Sequence, residues 1–257
     1  RSETGSHLSK PGRNGDVTES TVATGSADGA GYVRRMLVVV SLGWATLQTG
    51  RFLLSPLLPT IITDLGITEA TAGIALAIFQ GSYAVVQYPS GEYSDRWTRT
   101  TLIVPGLVVL AVGFGLFGAT AGLATFVVAA TVVGIGKGLF SIPSRALLSD
   151  LFTDDRGRAL GIYAAGTDAG GLVSSGLAVV ALTHFTWRTP FFPIAVGLAI
   201  LTAVYAVTTR EGYHVGKATL DIRGTVGRLV GSSRQRETLV AFALFYFMVG
   251  GFINFVP

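Results

Sequence analysis

The sequence contains no cysteine, which excludes disulfide bridges, thiol catalysis and thiolate metal sites. Histidine is scarce too, and its three occurrences, His7, His184 and His214, lie too far apart in sequence to suggest a ligand cluster. No nucleophile–base pair stands out either, so we expect neither an enzyme nor a bound cofactor. Charged residues make up only 13% of the chain, where a soluble domain carries about a quarter.

The chain instead contains long stretches of apolar residues. Hydrophobic residues make up 49% of it, and about 20 consecutive apolar residues suffice for a helix to cross a bilayer core of roughly 30 Å. Strands of a membrane barrel would be about ten residues long and alternate in polarity, which these stretches do not. We therefore predict an all-α integral membrane protein. Its spanning helices are predicted at residues 36–62, 70–89, 101–119, 122–148, 159–182 and 191–207.

The remaining segments complete the predicted domain organisation. Residues 1–35 are rich in Gly, Ser, Thr and Asp with few large apolar residues, a composition that favours a disordered tail. The six-helix domain is predicted at 36–208, followed by a basic loop at 209–237. Residues 238–257 are predicted to open a seventh helix, whose apolar run begins near Leu239 and continues to Pro257.

Basic residues are distributed unevenly over the predicted loops. With the amino terminus inside the cell, the outer loops carry Arg188 alone. This asymmetry follows the positive-inside rule and predicts a plasma-membrane protein with a cytoplasmic amino terminus. The net charge of +4 then reflects topology, and we expect no nucleic-acid partner. The basic residues assigned to the inner side are Arg34, Arg35, Arg96, Arg99, Arg156, Arg158, Arg210, Lys217, Arg223, Arg228, Arg234 and Arg236.

Polar side chains inside the spans follow helical spacing. The third and sixth spans contain no charged residue and are predicted to be peripheral. The other four carry residues that are costly in lipid and usually face a cavity. The four stripes are Trp44, Gln48, Arg51 and Ser55; Gln80, Tyr83 and Gln87; Lys137, Ser141 and Ser144, with Arg145 beside them; and Ala164, Asp168, Gly171 and Ser175. The candidate substrate-binding or coupling residues among them are Gln48, Arg51, Gln80, Tyr83, Lys137 and Asp168.

Lys137 and Asp168 both lie roughly 15 Å from the predicted cytoplasmic ends of their helices. Three interpretations follow: a structural ion pair, a protonatable Asp168 whose partner changes during a cycle, or no contact at all. Arg51 has two interpretations, because its planar fork of donors suits a carboxylate or phosphate. It binds an anionic substrate, or it pairs with a carboxylate in a part of the protein outside this chain.

Glycines are dense in the fourth and fifth spans, where small residues let membrane helices approach closely. They are Gly134, Gly136 and Gly138 in the fourth span, and Gly166, Gly170, Gly171 and Gly176 in the fifth.

The loop between the second and third spans reads GEYSDRWTRT, residues 91–100. It resembles the signature of the major facilitator superfamily of secondary transporters, roughly G-x-L-A-D-R-x-G-R-R. Gly91, Asp95, Arg96 and Arg99 match in place, and the segment falls in the corresponding loop on the corresponding side. Tyr93 departs from the pattern, as do Ser94, Thr98 and Thr100.

The resemblance implies a gating role for Asp95, Arg96 and Arg99, as a charge network with the neighbouring half of the protein. We expect Arg145 and Asp150, at the inner end of the fourth helix, to be further partners. Gly91 is expected to permit tight packing at the end of the second helix. Asp95 is expected near the start of the third helix, where the helix dipole favours an anion.

The resemblance also implies the architecture: a six-helix half bundle built from two inverted three-helix repeats, with the third helix of each repeat outermost. A full member has about twelve helices, so most of a carboxyl-terminal half is expected outside this chain. The implied partners are a small-molecule substrate, the lipid bilayer and that second half. The expected function is ion- or proton-coupled transport by alternating access, with an organic anion favoured by Arg51, Lys137 and Arg145. The alternatives are an exporter of drugs or hydrophobic cations and a non-transporting membrane sensor.

Overall fold

The computed structural model describes residues 18–210, 212 and 231–255, and every regular element in these ranges is an α-helix. The first six helices each contain an apolar segment long enough to cross a membrane. The predicted all-α membrane fold is thereby confirmed. The helices are α1 (Thr18–Leu65), α2 (Glu69–Arg96), α3 (Thr100–Gly118), α4 (Leu123–Leu151), α5 (Arg156–His184), α6 (Phe191–Thr208) and α7 (Ser233–Phe255).

Local sequence explains the tight turn between α1 and α2. Gly66 has φ 62°, a left-handed conformation that glycine adopts without steric cost and that commonly ends a helix. Thr68 then caps α2, accepting a hydrogen bond of 3.2 Å from the Thr71 backbone N–H. Glu69 in the first turn adds a favourable interaction with the helix dipole.

Two helix starts differ from the sequence prediction. α1 begins at Thr18, inside the tail predicted to be disordered at 1–35, because extending an existing helix fixes one residue per hydrogen bond and avoids a new nucleus. α7 begins at Ser233, inside the loop predicted at 209–237. Residues 1–17, and most of that loop, lie outside the described ranges.

The packing of the helices has the symmetry expected of inverted repeats. α1 packs on α5 and α6, α4 packs on α2 and α3, and α3 packs on α6. Exchanging α1 with α4, α2 with α5 and α3 with α6 maps this pattern onto itself. Every exposed residue of α3 and α6 is apolar, which agrees with their predicted peripheral position.

We call the end at which α2 joins α3, and α4 joins α5, the inner end, and the opposite end the outer end. An aromatic cluster fixes α3, α4 and α6 in the outer half: the Phe117 ring centre lies 5.3 Å from those of both Phe126 and Phe191. Arg188 adds a polar lock, donating to Asp64 at 2.7 Å and to the Thr120 carbonyl at 2.6 Å. Sequence reasoning did not find this lock, since Asp64 lies in no motif.

Glycines set close helix contacts between α2 and α4 and between α1 and α5. A Cβ on Gly138 of α4 would lie 2.8 Å from the Val86 side chain of α2, and one on Gly134 would overlap the Phe79 carbonyl. A Cβ on Gly170 of α5 would lie 2.9 Å from the Ala45 carbonyl oxygen of α1. α2–α4 and α1–α5, which correspond under the repeat symmetry, therefore both depend on glycine, as the glycine-rich spans predicted.

Candidate functional site

The polar stripe of α1 divides between two environments. Trp44 and Gln48 are buried, and the Trp44 indole N–H donates to Thr167 of α5 at 2.9 Å. Arg51, two turns from Trp44, is half-buried, and Ser55 is exposed. The Arg51 guanidinium carbon lies 5.0 Å from the Phe52 ring centre. Only the outer part of this stripe is open to a solute or to another protein segment.

Lys137 of α4 is only 5% exposed, and aromatic rings surround its ammonium group. Nζ lies 4.1 Å from the ring centre of Tyr83 and 5.5 Å from that of Phe79, both on α2. Such cation–π contacts strengthen when the cation is desolvated. Phe79 was missed by sequence reasoning, although its spacing of four residues from Tyr83 places both rings on one face of α2.

The structure does not form the ion pair considered between Lys137 and Asp168. Within the described ranges Lys137 has no carboxylate within 4.0 Å, and Asp168 is exposed on α5. Gln80 is exposed in the corresponding part of α2. The two exposed polar groups therefore lie on symmetry-related helices, and their roles stay predictions.

Arg145 of α4 lies away from the loop network in which it was predicted. Its guanidinium carbon lies 5.5 Å from the Trp44 ring centre and 5.9 Å from that of Tyr163. The two rings stack on each other with centres 5.0 Å apart. We call this arrangement the Arg145 platform. In this structure Arg145 points toward α1 and α5, whereas the loop lies beside α2 and α3, and a gating role for Arg145 stays a prediction.

The serine stripe of α4 does not line an open surface, contrary to the prediction. Ser141 and Ser144 are both fully buried. Ser144 donates back to the Phe140 carbonyl of its own helix, as hydroxyls in apolar helices commonly do. Ser141 Oγ, like Gln48 Oε1, has no hydrogen-bond partner among the described residues.

The loop at the inner end forms an ordered charge network around Arg99. Its Nε and Nη2 donate to one Asp150 oxygen at 3.3 and 3.2 Å, and its Nη1 donates to Ser94 at 2.7 Å. Asp95 approaches Arg99 only at 3.5 Å, and its side chain is 79% exposed. Asp150 is therefore a partner of Arg99, whereas Arg96 pairs with Glu92 at 2.5 Å.

Two details of this loop differ from the prediction. Asp95 lies in the last turn of α2, and α3 begins at Thr100. The helix dipole therefore disfavours its charge where it was expected to favour it. A Cβ on Gly91 would meet only Ile142, at 3.9 Å, so the helices do not pack tightly at Gly91 in this structure.

Three cations therefore lie inside the spans without an ion pair to any described carboxylate: Arg51, Lys137 and Arg145. Charges at this depth are costly unless a cavity, a partner or a ligand compensates them. No group of three or more His, Asp or Glu side chains within residues 18–210 and 231–255 could hold a metal ion. The three cations themselves are suited to binding an anion.

Comparison with known sequences identifies the family of membrane proteins that this chain resembles. A family model described as Major Facilitator Superfamily matches residues 40–257. Multidrug resistance protein 1 of Bacillus subtilis (strain 168) is 28% identical over 173 residues, which cover 67% of this chain and 44% of that protein. The Hexuronate transporter of the same strain is 24% identical over 147 residues, covering 57% of this chain and 35% of that protein.

Solved structures agree at the level of the fold. A bacterial homologue of the human lysosomal transporter Spinster, in an inward-facing and unoccupied conformation, superposes with a TM-score of 0.67 at 20% identity. The match covers 87% of this chain and 54% of that chain. This chain spans between 25% and 53% of the length of four curated relatives that it matches.

Proposed function

This chain belongs to the major facilitator superfamily, and we propose that the intact protein is a secondary active transporter. It moves a small solute by alternating access, with this six-helix half rocking against a carboxyl-terminal half around a central site. The bundle lies in the plasma membrane with its amino terminus in the cytoplasm, the orientation favoured by the basic inner loops. Transport is driven by a proton or another ion.

The observation that carries this proposal is the set of three cations on two helices that face the bundle centre. When the helical rise is counted from the predicted inner ends of their spans, residues 36 and 148, Lys137 lies about 16 Å deep and Arg51 about 22 Å deep. With no described carboxylate beside them, they favour an organic anion as the substrate. The relative named Hexuronate transporter supports this choice, since a hexuronate carries a carboxylate.

Counterflow in proteoliposomes tests the function. Vesicles containing the intact protein are loaded with unlabelled D-glucuronate, benzoate or lactate and diluted into a trace of the same labelled anion. We expect transient accumulation of at least one of them by counterflow. In a separate assay, net uptake driven by an imposed ion gradient should be abolished by a protonophore or by removal of the coupling ion. Saturable binding without counterflow would contradict a transporter and favour a membrane sensor of the same fold.

Asp168 supports a second candidate, the export of a hydrophobic cation. It is an exposed carboxylate in the middle of α5 with no ion pair to a described cation, and one relative is named Multidrug resistance protein 1. The same vesicles distinguish the candidates when they are loaded with unlabelled tetraphenylphosphonium and diluted into a trace of the labelled cation. Counterflow of this cation, lost in Asp168→Asn and absent for every anion, would replace the anion proposal.

Asp95→Asn is expected to leave the fold of this half intact and to lower transport about tenfold, an effect of about 1.4 kcal/mol. The fold survives because Arg99 keeps its bonds to Asp150 and Ser94. Transport falls because the exposed carboxylate is proposed to contact the second half and stabilise the outward-open state. The flux measures the loss of transport. Labelling of single cysteines, placed at either end of this cysteine-free chain, measures the loss of the outward-open state.

Glu92→Gln is the matched control for Asp95→Asn, since it removes an equal charge one turn earlier on α2. Its pair with Arg96 is exposed and of the i,i+4 type, a kind that contributes little. Flux should stay within about twofold of the wild type. Wild-type flux in Asp95→Asn, or an equal loss in both variants, would remove the gating assignment from Asp95.

A further inference from the structure

Three arginines near the ends of the bundle contrast with Arg145. Arg96, Arg99 and Arg188 each have a carboxylate within 4.0 Å, although water at either end of the bundle could solvate them. Arg145 lies further inside α4 and has no ion pair to any described carboxylate. Arg145 is nevertheless exposed at the bundle surface. The polar edge of its guanidinium is therefore open to a group that this half does not supply.

The Arg145 platform is rigidly built. Trp44 is 5% and Tyr163 2% exposed, so both rings are fixed in the α1–α5 contact. The Trp44 indole is also anchored by its hydrogen bond to Thr167, and a Cβ on Gly166 would lie 3.2 Å from the Trp44 ring. An arginine stacked on fixed rings loses little further freedom on binding, and its planar donors remain available at the edge.

The platform is separate from the other two cations. Arg145 follows Lys137 by eight residues, about 12 Å along α4 toward the inner end. A single carboxylate cannot contact both side chains while they hold their aromatic partners, since Lys137 is enclosed by α2 and Arg145 rests on α1 and α5. α4 thus carries two cationic positions along the axis of the bundle.

We propose that the Arg145 platform is a second anion-binding site, on the inner side of the central Arg51–Lys137 pair. It binds the carboxylate of an organic anion at the inner face, before the anion reaches the central pair or after it leaves. The site rests on the proposed anion transport, because only then does an anion pass this point. It also accounts for an arginine held on an aromatic stack without a counter-ion from its own half.

Chemical protection tests the site directly. The intact protein in proteoliposomes is treated with phenylglyoxal, which modifies arginine, and modification of Arg145 and Arg51 is quantified by peptide mass spectrometry. We expect Arg145 to react, and sodium D-glucuronate or sodium benzoate to slow its reaction at least about fivefold relative to an equal concentration of sodium chloride. An unreactive Arg145, or a reactive one that neither carboxylate protects, would overturn the site.

Kinetics then separate this site from a structural role. Arg145→Gln should raise the KM of an anion offered at the inner face about tenfold, and leave the KM at the outer face and kcat within about twofold. Arg145→Lys keeps the charge but loses the fork, so its KM at the inner face should lie between those of the wild type and Arg145→Gln. Arg158→Gln, an exposed inner-end arginine of α5, is the matched control and should change neither KM.

Failure of this site and failure of the proposed function give different results. The wild-type protein could show counterflow of an anion while Arg145→Gln changes the KM equally at both faces or at neither face. This result would remove the Arg145 site and leave the proposed anion transport unaffected. No counterflow of any anion, with Arg51 and Arg145 both unprotected, would remove both. If Arg145→Gln does not fold, Trp44→Leu beside Trp44→Phe tests the platform, and only the leucine variant should raise the KM at the inner face.

Discussion

Gly170→Ala is expected to destabilise the bundle by about 2 kcal/mol, within the usual range for forcing an extra methyl group into a packed interface. The new Cβ would lie 2.9 Å from the Ala45 carbonyl oxygen, the Gln48 Cβ and the Thr49 backbone nitrogen. Two of these three atoms belong to the α1 backbone and cannot rotate away, so α1 and α5 must separate. The measurement is thermal unfolding in detergent, followed by tryptophan fluorescence.

The same substitution elsewhere in α5 serves as the control. A Cβ on Gly161 or Gly176 would meet nothing within 4 Å. Alanine there should be neutral or stabilise by up to about 1 kcal/mol, because it lowers the backbone entropy lost on helix formation. The difference between the sites isolates the close contact from helix propensity. Equal stability of Gly170→Ala and Gly161→Ala would show that α1 and α5 lie further apart than described.

Gly170→Ala should also impair function, because the two helices that would separate carry part of the site. Trp44 and Gln48 lie on the α1 face that Gly170 contacts, and Arg145 rests on Trp44. A shift of α1 by a few tenths of an ångström would loosen the platform before it unfolds the protein. Transport in Gly170→Ala should therefore fall at temperatures well below unfolding, whereas Gly161→Ala should keep it.

Much of the fold could be predicted from composition alone. Apolar length gave the six helices, because a bilayer of fixed thickness requires spans of fixed length. The absence of charge from two spans identified α3 and α6 as peripheral, and all their exposed residues are indeed apolar. The start of α1 could not be found in this way. A helix extends past the membrane into polar sequence at little cost, so hydropathy marks the span and misses the helix end.

The candidate site was harder to predict, as Lys137 and Asp168 show. Counting the helical rise gives the depth of a residue but not the direction in which it points. The two residues were compared because α4 and α5 are consecutive, yet these helices make only a small contact, and α4 packs mainly on α2 and α3. Inverted-repeat packing places α4 against α2 and α3, away from α5. Lys137 consequently meets Tyr83 and Phe79 of α2, which its own helix could not reveal.

The Arg99 network was predicted better, for a physical reason. Asp150 lies at the end of α4 and Arg99 in the three-residue turn between α2 and α3, and α3 and α4 pack closely. Charges at the ends of adjacent helices in water reorient to meet each other, so approximate positions suffice. Inside the bundle, fixed rotamers and tight packing decide the contacts, and an error of one helix face changes the partner.

Arg51→Gln is expected to weaken binding of an anionic substrate by about 10- to 100-fold, the loss of about 1.5–3 kcal/mol that a charge-assisted hydrogen bond contributes. Arg51 is half-buried and has no ion pair to a described carboxylate, so its donors are open to a ligand. Arg51→Lys should weaken binding less, because lysine keeps the charge and loses only the planar fork. The dissociation constant of the intact protein for the transported anion is the quantity to measure.

The two variants also decide between a ligand and a hidden partner for Arg51. If a carboxylate of the second half pairs with it, Arg51→Gln leaves that carboxylate buried without a counter-ion, and stability falls by about 3–5 kcal/mol. Anion affinity would then change little, and Arg51→Lys would restore most of the stability. If the substrate is the partner, Arg51→Gln has the opposite effects: the affinity for the anion falls, and the unfolding temperature without substrate stays the same. Equal affinity loss in both variants would mean that the planar fork is essential and that charge alone does not bind the anion, while loss in the glutamine variant alone would mean that charge is the sole requirement.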